Sequence, residues 1–240
     1  MLSGSRERIE STLGEDALVL DVGGWAKPFP RADWVLDLMP YETRGLYGEL
    51  EPEAERFSAD TWVELDMCER TPWPFADGQF HFAVCSQTLE DIRDPIWVCG
   101  ELMRVARAGY IEVPSRLEEQ SYGVHGPWVG WSHHRWLVDT GPGKITFVAK
   151  PHLLAGRQEF HFPEGFAAAL TDEERVQMLF WEGSFEYGER IFLEAEELDA
   201  YLEDFVSRHL GAFRPDPPRP LARIAGFARR HLVAGRRRPS

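Results

Sequence analysis

Residues 17–38 constrain this chain most. Residues 17–22, ALVLDV, are an apolar run broken only by Asp21, and residues 34–38, WVLDL, are a second that carries Asp37. Short runs that are apolar on both faces read as buried parallel strands. Gly23 and Gly24 follow the first run, where the backbone can turn tightly or let a ligand approach closely. A strand, a glycine turn and an acid at the tip of the next strand is how doubly wound folds hold an adenosine. The glycines admit the ligand, and the acid takes the ribose hydroxyls.

The departures are as informative as the matches. The spacing of Gly23, Trp25 and Lys27 does not fit G-x-G-x-x-G, which argues against a dinucleotide phosphate cradle. Only residues 24–32 separate the two runs, and they include Pro28 and Pro30. A parallel crossover takes roughly a dozen residues or more, mostly helix, and prolines disrupt a short one. A compact loop is therefore expected in place of the first crossover helix. This favours a ligand without a pyrophosphate, and S-adenosylmethionine is the candidate; a nicotinamide oxidoreductase is remote.

At 240 residues, 43% of them hydrophobic, with nine Trp and fifteen Phe, the chain can bury one α/β core with an elaboration. No stretch approaches the roughly 18 apolar residues of a membrane span, and residues 1–10 lack a signal-peptide core. Cys68, Cys85 and Cys99 have no C-x-x-C spacing, which suits a reducing cytoplasm and core packing. The net charge of −14 argues against nucleic acid as a partner of the body. Residues 214–240, by contrast, hold eight arginines against a single acid, Asp216.

Taken in order, residues 5–13 read as a short amphipathic helix and residues 62–66 and 79–85 as further strands. Asp94 and Pro95 open a helix as N-cap and first-turn residue. Ile96, Val98, Cys99, Leu102, Met103 and Val105 give it a buried face, and residues 110–113 form a fifth strand. This is the α/β pattern, with ligands expected at the carboxyl ends of the strands. Asp21, Asp37, Asp66 and Glu112 converge there, which suits a polyhydroxylated, positively charged ligand.

Residues 71–114 carry a resemblance. Pro74-Phe75, Asp77-Gly78, Phe80, Ser86, Leu89-Glu90, Asp94-Pro95, Glu101-Leu102, Arg104-Val105 and Gly109 follow in order. The pattern resembles the class I S-adenosylmethionine-dependent methyltransferases, in particular the type 11 group. Residues 28–33, 109–115 and His134-Arg135-Trp136 resemble a carbohydrate- or envelope-related subgroup, extending the likeness over about residues 15–140. The resemblance implies an α/β fold: a Rossmann-like, mostly parallel, seven-stranded sheet with helices on both faces and a terminal antiparallel strand. It also implies that Asp21, Gly23 and Gly24 lie against the methionine part of the cofactor and that Asp37 takes the ribose. Asp66 and Met67 would border the adenine, with Ser86 and Gln87 on the floor. Three positions depart from the family pattern: Trp25 for a glycine, His81 for an Asp and Asp91 for a His.

Methyl transfer asks little of a protein beyond in-line positioning, desolvation and, for a hydroxyl acceptor, a base. His133, His134 and Asp91 are the candidate bases, with Glu112 as a further one. Glu112, Arg135 and Trp131 are the candidate acceptor contacts. Glu118 and Glu119 read as a solvated loop. No metal is expected, because His125, His133, His134, His152 and His161 match no zinc spacing and no cysteine joins them. Adjacent His133 and His134 would point to opposite sides of a strand.

Beyond Asp139, residues 144–150 and 188–193 read as strands and residues 172–181 and 194–209 as helices. The expected organisation is one methyltransferase-like domain over 1–213, with a core at 15–115 and an acceptor-side elaboration at 116–213. A Pro-rich joint and basic tail follow over 214–240, the tail patterned as an amphipathic helix suited to an anionic membrane or partner through 219–238. The first reading is a cytoplasmic O-methyltransferase of a small molecule or glycan. The alternative is a non-catalytic scaffold of the same fold.

Overall fold

The computed structural model describes residues 1–46, 48 and 50–211. Among the described residues, β1 (Val19–Val22), β2 (Trp34–Asp37), β3 (Trp62–Glu64), β4 (Phe82–Ser86), β5 (Ala108–Pro114) and β8 (Val176–Glu182) form a central sheet of six strands in the order β3-β2-β1-β4-β5-β8. The first five pair in parallel, and β8 closes the edge antiparallel to β5, with Ile111 opposite Leu179. This is the Rossmann-like architecture expected, with the terminal antiparallel strand in place. Among the described residues the sheet has one strand fewer than the seven expected, because the chain after β5 builds a separate sheet before β8 returns.

Helices cover both faces. α1 (Ser3–Thr12) buries Ile9 against Val19, Val35, Val84 and Tyr110. α2 (Pro95–Val105) buries Val98, Cys99, Leu102 and Val105 against Leu20, Leu36, Ala83 and Ile111. Asp94 caps α2 by accepting the Trp97 N–H at 3.0 Å, which satisfies a first-turn donor. The first crossover, residues 23–33, is a loop without helix. Its Phe29 side chain fills the α1-side core in place of one.

The next two crossovers also lack α-helices. Residues 65–81 lay Trp73 and Phe75 into the α2-side core. Arg104 and Glu101 of α2 clamp this loop: the Trp73 N–H donates to Glu101 (2.7 Å), and Arg104 donates to the Phe75 carbonyl (2.8 Å), the Trp73 carbonyl (3.1 Å) and Asp77 (2.9 Å). The Pro-Phe, Asp-Gly and Glu-Leu-x-Arg residues behind the family resemblance are thus largely the parts of one clamp.

The second sheet, β6 (Trp136–Gly141), β7 (Lys144–Ala149) and β9 (Glu186–Glu189), contributes Val138, Ile145 and Phe147 to the α2-side core. Its other face packs Leu137 and Val148 against Leu202 of α5 (Ala195–Leu210). Two expectations change here. Residues 172–181 are not one helix: α4 (Asp172–Arg175) is a single turn, and the β-prone Val176–Glu182 joins the open edge of β5. The expected strand at 188–193 is displaced to β9, where parallel pairing with β7 sets the register.

All three cysteines are buried and free. Among the described residues, no helix is long and apolar enough to cross a membrane. The joint at 214–220 and the basic segment 219–238 lie outside the described residues.

Candidate functional site

A cavity of about 1000 Å³ opens at the carboxyl ends of β1, β2 and β4. The strand order reverses there, between β1 and β4, and doubly wound sheets bind ligands at this point. Asp21, Gly23, Gly24, Asp37, Asp66, Met67, Ser86 and Gln87 line its sheet side, and Asp91, Trp131, His133, His134 and Arg135 line the opposite wall. Of the residues singled out from the sequence, Glu112 alone is turned away. It is 1% exposed and committed to Tyr110, Ser86, Gln87 and the Leu2 N–H.

Gly23 follows β1 with φ +81°, a left-handed backbone, and a Cβ there would collide with Thr88. A Cβ on Gly24 would collide with Asp21 Oδ2. Asp21 accepts the Phe29 N–H at 2.8 Å, which ties the short first crossover down over the sheet edge. Burial raises the Asp21 carboxyl to about 7, and nearby Asp37 adds to the rise. Asp37 accepts the Trp25 N–H at 3.0 Å and the Met39 N–H at 2.9 Å. Two of about four lone-pair positions on its carboxylate are thereby used. Burial raises this carboxyl too, against those hydrogen bonds. Asp66 pairs with Arg93 at 2.6 Å and accepts the Cys68 N–H.

The three departures from the family pattern have separate accounts. The Trp25 indole donates to Thr43 at 3.0 Å and packs toward the α1-side core, so it walls the cavity without filling it. His81 Nδ1 accepts the Leu18 N–H at 3.0 Å and pins the start of β1 beside β4. Asp91 sits exposed on the cavity wall. Gln87, just past β4, holds φ +56°, an uncommon left-handed backbone for a residue other than glycine.

On the far wall, His133 and His134 lie in a turn and not on a strand, so both face the cavity with their rings 4.5 Å apart. His134 Nδ1 lies 2.7 Å from Glu119 Oε1, and Lys150 donates to Glu119 Oε2 at 2.7 Å. Burial alone would raise the Glu119 carboxyl, but His134 and Lys150 outweigh it and hold it below its ordinary value. An ionised carboxylate only accepts, so Nδ1–H must donate, and in the neutral tautomer Nε2 is the acceptor. The His133 imidazole is pushed down by burial and by His134. Glu118 and Glu119 belong to the buried helix α3 (Arg116–Glu119), not to a solvated loop.

Sequence reasoning missed Glu90 as a site residue. It lines the cavity, is 1% exposed, and among the described residues its Oε2 has no hydrogen-bond partner. Burial pushes this carboxyl well up, and Glu119, Asp91 and Glu112 add to it. Lys150 was missed as well. Among the described residues, no three His, Cys, Asp or Glu side chains gather as a metal-holding group.

No family model matches the chain, and no curated protein does. Solved structures do. The YcgJ protein from Bacillus subtilis is 16% identical over 48% of this chain and 52% of that one, with a TM-score of 0.36. A SAM-dependent methyltransferase from Aquifex aeolicus is 18% identical over 53% of this chain and 72% of that one, with a TM-score of 0.34. A third, an S-adenosylmethionine-dependent methyltransferase from Mesorhizobium loti, is 12% identical over 68% and 76%, with a TM-score of 0.36. The chain spans about half the length of the first. The likeness is distant and partial in all three, and none of them singles out the type 11 group.

Proposed function

We propose that the protein is an S-adenosylmethionine-dependent methyltransferase acting on a hydroxyl of a small molecule or glycan. The observation that carries this reading is that one cavity joins the glycine turn after β1 and the Asp37 carboxylate to the Glu119-oriented His134 on the opposite wall. The donor set fits the cofactor. Asp37 keeps lone pairs for two ribose hydroxyls, Gly23 and Gly24 leave the β1 edge without side chains, and the cavity is rich in buried acid, which suits a sulfonium.

When bound, the cofactor supplies a methyl group on a positively charged sulfur. Asp37 would hold the ribose, Asp66 and Met67 would border the adenine, and Ser86 and Gln87 would form the floor beneath. His134 Nε2 would take the proton from the acceptor hydroxyl while Glu119 stabilises the imidazolium. Trp131 offers a stacking face to a ring, and Arg135 a charge to an anionic group.

One observation favours a non-catalytic scaffold instead: Asp37 and Asp66 already anchor neighbouring backbone and Arg93. Calorimetric titration with S-adenosylhomocysteine separates the two readings. The enzyme reading expects saturable binding, weakened about tenfold or more in Asp37→Asn by loss of charge-assisted ribose bonds. An absence of heat in wild-type protein would leave the scaffold in its place.

A further inference from the structure

We infer that Glu90 receives the primary ammonium of the amino-acid end of the adenosyl ligand, so that the cavity selects nucleosides that carry this amine. The inference rests on the methyl-donor reading above and extends it to a residue outside that reading.

Its first support is an imbalance among the buried acids. Asp21 accepts the Phe29 N–H, Asp37 accepts two backbone N–H groups, Glu119 holds His134 and Lys150, and Glu112 holds Tyr110 and Ser86. Glu90 is as deeply buried as any of these, yet its Oε2 has no partner among the described residues. A buried polar atom without a partner is costly, and in a cavity wall it marks a place where a ligand completes the bonding. The acids around it favour a cationic donor over a neutral one.

The second support is topological. Along the carboxyl edge of the sheet the order is β2, β1, β4, so Asp37, the glycine turn and the Glu90 turn follow one another. The turn that begins at Thr88 packs directly against Gly23, whose Cβ position its side chain occupies. A ligand with its ribose on Asp37 and its chain passing Gly23 arrives next at Glu90. An ammonium, compact and with three donors, suits the single unpartnered oxygen there.

The test is a calorimetric comparison of S-adenosylhomocysteine with its deamino analogue, which keeps the carboxylate and thioether. Wild-type protein should prefer the amine by about tenfold or more, and Glu90→Gln should bring the two within about twofold while the analogue binds as before. Ligand-free Glu90→Gln should melt at or above the wild-type temperature, because it removes an unpaired buried ionisable group. Glu90→Met serves the same comparison should Glu90→Gln not fold. Equal wild-type affinity for the two nucleosides, or a preference that survives at Glu90→Gln and Glu90→Met, overturns the role of Glu90 and leaves the methyl-donor reading standing. If neither nucleoside binds wild-type protein, both fail.

Discussion

Asp21 lies at the tip of β1, 3% exposed, and its carboxyl is raised to about 7 chiefly by burial. The folded protein therefore holds this proton more tightly than the unfolded chain, whose carboxyl keeps its ordinary value near 4. The folded state binds the extra proton between those values, so stability falls as pH rises through that window. The loss is complete above about 7, at up to about 4 kcal/mol for a shift of roughly three units. Ligand-free Asp21→Asn should accordingly melt higher than wild type above pH 7 and converge with it near pH 4. Scanning calorimetry across pH reads this directly, and parallel melting curves for the two proteins would contradict it. Asp21, Asp37 and Asp66 could be picked out from sequence because each ends or interrupts an apolar run, where a strand must turn. Glu90, Glu119 and Lys150 could not. Their significance comes from burial and from partners such as His134, 15 residues from Glu119, and Lys150, 31 residues from it.

Arg104 shows how an element can be held without a helix opposite it. Its guanidinium ties the loop carrying Trp73 and Phe75 to α2 through two carbonyls, Asp77 and Glu101. Arg104→Ala should cost about 2 kcal/mol, since several charge-assisted bonds go and the buried Glu101 carboxylate loses its counterion. The urea midpoint should fall with an unchanged slope; an unmoved midpoint would show the clamp to be idle. At this scale the parallel strands, α2 with its Asp94 cap and the helix-free first crossover were all readable, since local patterning decides them. The strand β8 was not. Residues 172–181 have acids and a Thr171 cap that read as helix, and only the open edge of β5 makes extension the better solution.

Across the whole molecule, two apolar layers sandwich the central sheet, one built on α1 and the other on α2 with the second sheet. Aromatic loops, in place of most crossover helices, close those layers and leave the β1–β4 edge open. The α/β class and the sheet edge that carries the cavity were therefore legible from strand patterning alone. The second sheet and the placing of residues 131–135 across the cavity depend on long-range packing that no local spacing encodes. The most direct test is a crystal structure of the full chain grown with S-adenosylhomocysteine. The account predicts the nucleoside in this cavity, its ribose hydroxyls within hydrogen-bonding distance of the Asp37 carboxylate and its sulfur on the side facing His134. Electron density that leaves this edge of the sheet vacant at saturating ligand, or seats the nucleoside elsewhere, would contradict it.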